Sequence, residues 1–516
     1  MKINLLEYLD KNTVINFPDK IAVIEGEESI DFKNLCFQSK QLALHIIKQS
    51  VFINQPIAVF LPKSIASVVA NLAVTYSSNI YMNLDIKYPE ERLRNVINKI
   101  EPKIIITNNN LYNQLIKIIG EDLIIINIDN EEIFNTNISD TEHLIYNRIN
   151  TIIDTDPYCI INTSGSTGTP KGVALNHKSF IDFIEWSIPT LEISDNEIIG
   201  SLSPLYFDIY SFEICLLMAK ASTIVIISEQ LATFPPKLIE FLSIKKITFI
   251  FWVPTIMVNI ANLDILSKYD LLDLKRILFA GEVFPTKHMN YWRKHIPEAK
   301  FINLYGPIEI TLDCTYFIIE KEIPNETPIP IGFPCRNTDV LILNEDNILS
   351  TTNEKGELCI RGTSLALGYW NDPEKTANAF VQNPLNKHYS ELIYKTGDVV
   401  FKNELGEIIF VGRKDFQIKH LGYRIDLSEI EHVIVNCFEV IDNACVLYNF
   451  DKKEIHLFYE ASSSIATVEF RKELLKYLPK YMIPTQMHNY EELPRNPNGK
   501  IDRNLLNTLI KDGTDK

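Results

Sequence analysis

Short unbroken runs of aliphatic and β-branched residues recur along the chain as far as Tyr305, and they limit the fold more than any other feature. They are Ile21–Ile24, Pro56–Phe60, Lys103–Thr107, Leu123–Asn127, Tyr158–Ile161, Ile224–Ile227, Ile247–Val253, Arg276–Ala280 and Lys300–Tyr305. Each is too short for a helix and does not alternate with polar residues, which is the pattern of a strand buried on both faces. Stretches with helical periodicity separate several of them, at 34–50, at 64–77 and in a segment ending near Lys99. Strands alternating with helices predict an α/β fold with a largely parallel sheet. Residues 128–150 are polar and read as a loop. From about 327 the pattern changes to short strands and glycine turns, predicting a smaller β-rich subdomain, in which Glu404–Glu407 and Ile408–Val411 read as a hairpin. Beyond Gly412, the stretch at 430–435 is helical, Ala444–Tyr448 and Ile455–Tyr459 pair as strands, and 468–478 is an amphipathic helix. A chain of 516 residues exceeds one compact core. The expected division is a core domain of residues 1–412 and a small α+β domain of residues 413–516.

One loop interrupts this frame. Residues Thr163 to Gly172 read T-S-G-S-T-G-T-P-K-G, between the apolar run ending at Ile161 and a second at Val173–Leu175. Glycines let backbone N–H groups turn towards an anion, hydroxyls add donors, and Lys171 adds charge. The stretch is a phosphate cradle, and it lacks the G-x-x-x-x-G-K-[ST] order of a Walker A loop. A plain Ser/Gly linker would need neither the Pro-Lys-Gly ending nor buried strands on both sides.

Composition removes several classes. The net charge of −16, with no basic tract, argues against nucleic acid as the main partner. The start, Met1–Asp10, carries acidic residues where a secretory leader would be apolar. No window has the run of about 18 uncharged apolar residues that a membrane span needs. The eight cysteines show no metal spacing and read as buried, reduced thiols of a cytoplasmic protein.

Two charged residues stand out by their settings. Asp208 lies inside S-P-L-Y-F-D-I-Y-S-F, where a carboxylate needs a partner. Either a ligand ammonium supplies it, or Asp208 caps a helix running from Ile209. Lys500 lies beyond two prolines and a glycine in L-P-R-N-P-N-G-K-I-D-R, either in a shaped loop or as a surface lysine in a turn.

Taken together, these stretches resemble the adenylate-forming enzymes, and among them the amino-acid adenylation domains of non-ribosomal peptide synthetases and D-alanine–carrier-protein ligases. The resemblance covers nearly the whole chain. It rests on I-D-F-K-N-L (30–35), N-L-D-I-K-Y-P-E-E-R (83–92), T-S-G-S-T-G-T-P-K-G (163–172), Y-F-D (206–208), N-L-Y-G-P-I-E (303–309), G-E-L-C-I-R-G (356–362), Y-K-T-G-D (394–398), G-R-K-D-F-Q-I-K (412–419) and N-P-N-G-K-I-D-R (496–503).

The resemblance implies a reaction in two halves. A carboxylate attacks the α-phosphate of ATP to give an acyl-adenylate and pyrophosphate, and a thiol then takes the acyl group. Thr163, Ser164, Gly165, Ser166, Thr167, Gly168 and Lys171 would hold the triphosphate, and Thr167 with Glu309 would hold Mg²⁺. Tyr305 would stack on adenine beside Gly306, Asn303 would bond its edge, and Gly281 with Glu282 would border that pocket. Asp398 would accept the ribose hydroxyls, and Arg413 would hold ribose and phosphate. Lys500 would align substrate carboxylate and α-phosphate, and Asp415 would be the hinge about which the small domain turns, opening a thiol path past Gly422.

In this family the position of Asp208 binds an α-ammonium group. The other pocket positions are Ile209, Phe212, Phe251, Leu278, Ala280, Leu304, Leu312 and Asp313, mostly apolar, and they resemble those of stand-alone prolyl–carrier-protein ligases. L-proline is therefore the expected substrate, ahead of valine, leucine or isoleucine, alanine and serine. The sequence departs from the family at Ile308, where threonine is usual, at Ala280, where glycine is frequent, at His420 and Leu421, where a basic pair is usual, and at Asp313 in the pocket. No carrier segment with a phosphopantetheine-accepting serine follows Arg503 and no condensation domain precedes the core, so the expected partner is a separate carrier protein, met through a local basic patch. The competing functions are an acyl- or aryl-CoA ligase, against which Asp208 argues, and a non-catalytic nucleotide-binding module, against which Lys500, Glu309 and Asp398 argue.

Overall fold

The apolar runs become strands of two large sheets in a computed structural model that describes residues 2–119, 123–135, 137–138, 140–163, 170–414, 417–438, 440–441, 443–461, 465–495 and 501–512. The chain falls into two compact units. One comprises Met1–Ile86, Glu101–Ile161 and Gly172–Lys414, and the other Lys87–Ile100, Asn162–Lys171 and Asp415–Lys516.

In the larger unit a seven-stranded sheet runs Gly368–Tyr369, Lys171–Asn176, Pro157–Thr163, Ile80–Asn83, Pro56–Val59, Ile104–Thr107, Ile124–Asn127. Its inner pairs are parallel. Every residue of Pro56–Val59, Ile80–Asn83 and Ile104–Thr107 is buried, the reason their sequences carry no polar alternation. A nine-stranded sheet is parallel through its middle and closes on antiparallel edge strands, Glu28–Asp31 at one side and Thr315–Ile318 with Phe333–Pro334 at the other. Successive residues of its inner strands point to opposite faces. Phe249, Phe251, Leu278, Ile302 and Leu304 enter the largest buried cluster, while Ile250, Trp252, Ile277, Phe279 and Phe301 enter a second. An antiparallel five-stranded sheet completes the unit, from Thr338–Leu343, Gly356–Gly362, Leu392–Lys402, Phe380–Gln382 and Ile408–Arg413.

The smaller unit has its own core. The sheet Asn443–Asn449, Glu454–Glu460, Gln486–Tyr490 packs with the helices Leu427–Cys437 and Thr467–Leu474. The hairpin Gln417–His420 and Tyr423–Asp426 turns through Leu421 and Gly422, both with positive φ. The helix Glu90–Ile100 belongs to this unit through Arg92, whose guanidinium forms a buried ion pair with Glu429.

Three readings need correction. Residues 128–150 contain the helices Glu131–Phe134 and Glu142–Ile149, which bury only Ile133, Ile145 and Ile149. So few apolar side chains leave a polar sequence with a weak helical signal. Glu404–Glu407 is the turn between Leu392–Lys402 and Ile408–Arg413 and not an arm of the hairpin. The strand Ile80–Asn83 has no counterpart in the sequence reading, because it is short and runs directly into the motif at 83–92.

Every cysteine is free, and all but Cys437 are buried. Burial pushes the thiols of Cys159 and Cys314 upward, so neither is an ionised nucleophile. No described helix is long and apolar enough to cross a membrane.

Candidate active site

The strand Lys300–Tyr305 delivers its last residue to a group of polar side chains. The Tyr305 hydroxyl donates to Asp398 Oδ2 in a short bond. Arg413 Nη1 donates to Asp398 Oδ1 at 2.7 Å, and its Nη2 to the Thr396 carbonyl at 3.1 Å. Asp398 and Arg413 face each other across the pairing of Leu392–Lys402 with Ile408–Arg413, so the sheet register itself brings them together. The Asp398 amide donates to Thr396 Oγ1 at 3.0 Å. Burial, then the Asp398 carboxylate, drives the Tyr305 phenol well above its ordinary range, so it stays a protonated donor. A carboxylate accepts at both oxygens through several lone pairs, so Asp398 with one donor on each oxygen retains capacity for ligand hydroxyls.

Gly306 follows without room for a side chain. A Cβ there would stand 2.2 Å from the Leu312 carbonyl oxygen. The backbone of 311–312 is pressed close because Thr311 and Leu312 both adopt positive φ, a costly state for non-glycine residues. Asn303 Nδ2 donates to the Pro330 carbonyl at 2.7 Å. Gly281 takes φ 91°, and Glu282 Oε2 accepts from the Thr255 amide at 2.9 Å. Glu282 thereby holds the first turn of the helix Pro254–Asn262, where a carboxylate is favoured by the helix dipole.

Glu309 sits in the short turn Ile308–Ile310 and is fully buried. Its Oε1 accepts from the Tyr369 hydroxyl at 2.8 Å, and its carbonyl accepts from the Ala366 amide at 2.9 Å. Ile308, at the position usually threonine, packs into the largest core cluster.

Asp208 is the first residue of the helix Asp208–Lys220, with Phe207 in the cap position. The helix thus begins one residue earlier than the capping alternative placed it. Asp208 is half-buried, and its Oδ1 accepts from the Ile209 amide at 2.9 Å. Ile209, Phe212, Phe251, Leu278, Ala280, Leu304 and Leu312 all lie in one buried cluster. Phe251 pairs with Leu278 across adjacent strands, and Ala280 and Leu304 follow on the same face by the two-residue period. The side chains gathered there are therefore apolar because they share one sheet face and one helix.

Asp313 is 4% exposed, and its carbonyl accepts from Cys335 Sγ at 3.7 Å. Two aromatic residues escaped the sequence reading. Phe183 meets Phe212 edge-on at 5.3 Å and Trp186 at 5.2 Å, and Phe212 meets Phe251 at 6.2 Å. Phe183 and Trp186 come from the helix His177–Thr190, which none of the motifs covers.

Thr163 ends the strand Pro157–Thr163 and Lys171 opens the strand Lys171–Asn176, so the phosphate loop joins two strands. Ser164, Gly165, Ser166, Thr167, Gly168, Asp415 and Lys500 lie outside the described residues.

The phenol at the end of the strand Lys300–Tyr305 thus meets a carboxylate–guanidinium pair of the five-stranded sheet, and open α/β sheets hold their ligands at such strand ends. Residues 11–370 match the family model described as AMP-binding enzyme, and the chain belongs to that family of ligases, with the adenylation domains of non-ribosomal peptide synthetases. Among similar proteins, zwittermicin A synthase ZmaJ of Bacillus cereus is 30% identical over 99% of this chain and 95% of its own length. Tyrocidine synthase 1 of Brevibacillus parabrevis is 30% identical over 95% of this chain, which spans only 44% of that protein. The fold matches the Vibrio cholerae adenylation domain AlmE, solved with glycyl-adenosine-5'-phosphate, at a TM-score of 0.84 and 20% identity, over 99% of this chain and 98% of that one.

Proposed function

We propose that the protein activates an amino acid, L-proline first among candidates, and loads it onto the phosphopantetheine thiol of a separate carrier protein in the cytoplasm. In the first step a carboxylate oxygen bonds to the α-phosphorus of ATP, the bond to the β-phosphate oxygen breaks, and pyrophosphate leaves. In the second the thiol sulfur bonds to the acyl carbon, AMP leaves, and the thiol proton goes to solvent.

The observation that carries this reading is Asp208, a carboxylate on the first turn of a helix whose neighbours Ile209 and Phe212 are buried among apolar residues. An α-ammonium is the complement of such a carboxylate, because opposite charges attract more strongly where apolar neighbours exclude water. A fatty or aromatic acid without an amine offers it no opposite charge. The Phe212 and Phe251 rings and Leu278 offer a compact apolar surface, which suits the pyrrolidine of proline.

On this reading Tyr305 stacks on adenine and Asn303 bonds its edge, with Gly281, Glu282 and Gly306 bordering the ring. Asp398 receives the ribose hydroxyls and Arg413 steadies ribose and phosphate, a role supported by the existing Arg413–Asp398 pair. Residues 163–171 hold the phosphates, with Lys171 on the leaving pyrophosphate. Mg²⁺ fits the donor set, since Glu309 offers a buried anionic oxygen and hard cations take oxygen ligands. Glu309 and Thr167 would hold it, and it would supply neutralisation of phosphate charge. Residues 1–412 act as the binding core and 413–516 as the mobile part, turning about Asp415 and bringing Lys500 to align the attack.

ATP–pyrophosphate exchange over a panel of amino acids and amine-free carboxylic acids tests the proposal. Exchange with proline above the other amino acids is the expected result. Exchange with amine-free acids alone would favour an acyl- or aryl-CoA ligase, and no exchange with any amino acid would overturn amino-acid activation.

A further inference from the structure

A polar assembly with no role in the reaction as described lies around the start of the helix that carries Asp208. Lys63 follows the strand Pro56–Val59 of the seven-stranded sheet. Its Nζ donates to the Ser201 carbonyl at 2.9 Å and to the Ser203 carbonyl at 2.7 Å. Ser201 ends the strand Ile198–Ser201 of the nine-stranded sheet, so one side chain ties the two sheets together where their strands end. The ammonium also lies 5.4 Å from the centre of the Tyr210 ring.

Two further side chains of the seven-stranded sheet grip the same segment. Asn83 Nδ2 donates to the Leu205 carbonyl at 2.9 Å, and the Tyr81 hydroxyl bonds Ser211 Oγ at 3.0 Å. Within the Asp208 helix, Glu213 is fully buried and accepts a short bond from Ser201 Oγ. The positive charge of Lys63 favours the ionised form of Glu213. Burial presses the Lys63 ammonium down and the Glu213 carboxyl up, each opposed by the other. The Ser201 carbonyl also accepts from the Ile227 amide at 3.0 Å, while those of Ser203 and Leu205 lie past the strand end and take their donors from Lys63 and Asn83. A lysine offers three donors on a long stem, enough to take two carbonyls at once.

We propose that Lys63 is a positioning residue for the amino-acid site: by bridging the two sheets it fixes the turn at 201–208 and so the place of the Asp208 carboxylate. The proposal rests on the amino-acid reading of Asp208. It assigns Lys63 no contact with substrate. Tyr305, Asp398 and Arg413 sit on other segments, so nucleotide binding does not depend on this clamp.

The test uses the full chain in ATP–pyrophosphate exchange, with KM for amino acid and for ATP measured separately. Three proteins are compared: the unaltered chain, Lys63→Met with Glu213→Leu, and Lys63→Arg. The double variant replaces both charged side chains by apolar ones, a change that often leaves stability intact. Its amino-acid KM is expected to rise about tenfold or more, because small misplacements of a binding group are costly, while the ATP KM stays within about twofold. Lys63→Arg keeps donors and charge and is expected to recover most of the loss. Should the double variant not fold, Asn83→Ala loosens the same turn at Leu205 and is expected to raise the amino-acid KM selectively. A folded variant with an unchanged amino-acid KM, or with both KM values raised alike, overturns the clamp. Absence of amino-acid exchange in the unaltered chain overturns the amino-acid reading itself and the clamp with it.

Discussion

Asp208 and His177 are two titratable residues in different surroundings. Asp208 sits where a helix dipole favours a negative charge and where apolar side chains leave an ammonium no better partner. Asp208→Ala is expected to lower amino-acid-dependent exchange by about a hundredfold or more while leaving thermal melting within a few degrees. Retained exchange would refute its role. His177 is the opposite case, a titratable residue with a structural task. It is 3% exposed, and its Nδ1 accepts from the Leu5 amide at 3.5 Å. Burial pushes its pKa down from 6.5 to about 4. The folded protein therefore refuses a proton that the unfolded chain takes, and stability falls as pH drops from about 6.5 to about 4, by about 3 kcal/mol at most. Above that window the residue contributes no pH dependence. His177→Gln keeps an acceptor without the titration, so urea melts at a series of pH values should show a shallower acid limb. An unchanged limb would remove His177 as its source.

At the scale of strands and helices, the two-residue period decides which side chains can line the pocket. Ile277 and Leu278 are neighbours in one strand and equally buried, yet they enter different clusters. Ile277→Ala and Leu278→Ala should each cost about 2–5 kcal/mol of stability. Only Leu278→Ala should shift the amino-acid profile, towards bulkier side chains, as measured by exchange over the panel. Equal shifts from both would show that the profile follows stability and not the pocket wall. Most of this architecture was legible in the sequence, because unbroken apolar runs such as Pro56–Phe60 and Arg276–Ala280 have no stable place except a buried strand. Helices with few buried residues, such as Glu142–Ile149, were not legible, since a polar surface hides the period. At the site, Asp208 stood out as a charge in an apolar setting, whereas Glu309 entered only through the resemblance. Phe183, Trp186 and Lys63 did not stand out, because aromatic core residues and a lysine after a strand look ordinary until the two sheets are seen to meet around them.

For the whole molecule, the proposed division of labour rests on where the chemical groups lie along the chain. The larger unit holds Asp208, Tyr305, Glu309, Asp398 and Arg413 and has a core of its own. The smaller unit has a separate core, and the sequence position of Lys500 falls in the segment 413–516. A lysine that aligns only the first chemical step should matter only there. Lys500→Ala is expected to lower adenylate formation by about a hundredfold or more, yet to leave acyl transfer from supplied aminoacyl-adenylate to a carrier thiol nearly unchanged. Equal loss in both halves would contradict that assignment. The central claim, recognition of an amine by Asp208, is tested most directly by one comparison on the unaltered protein: pyrophosphate exchange with proline and with cyclopentanecarboxylic acid, which has a similar ring and no amine. The account predicts strong exchange with proline and exchange near background with the amine-free acid. Comparable exchange with both would contradict it.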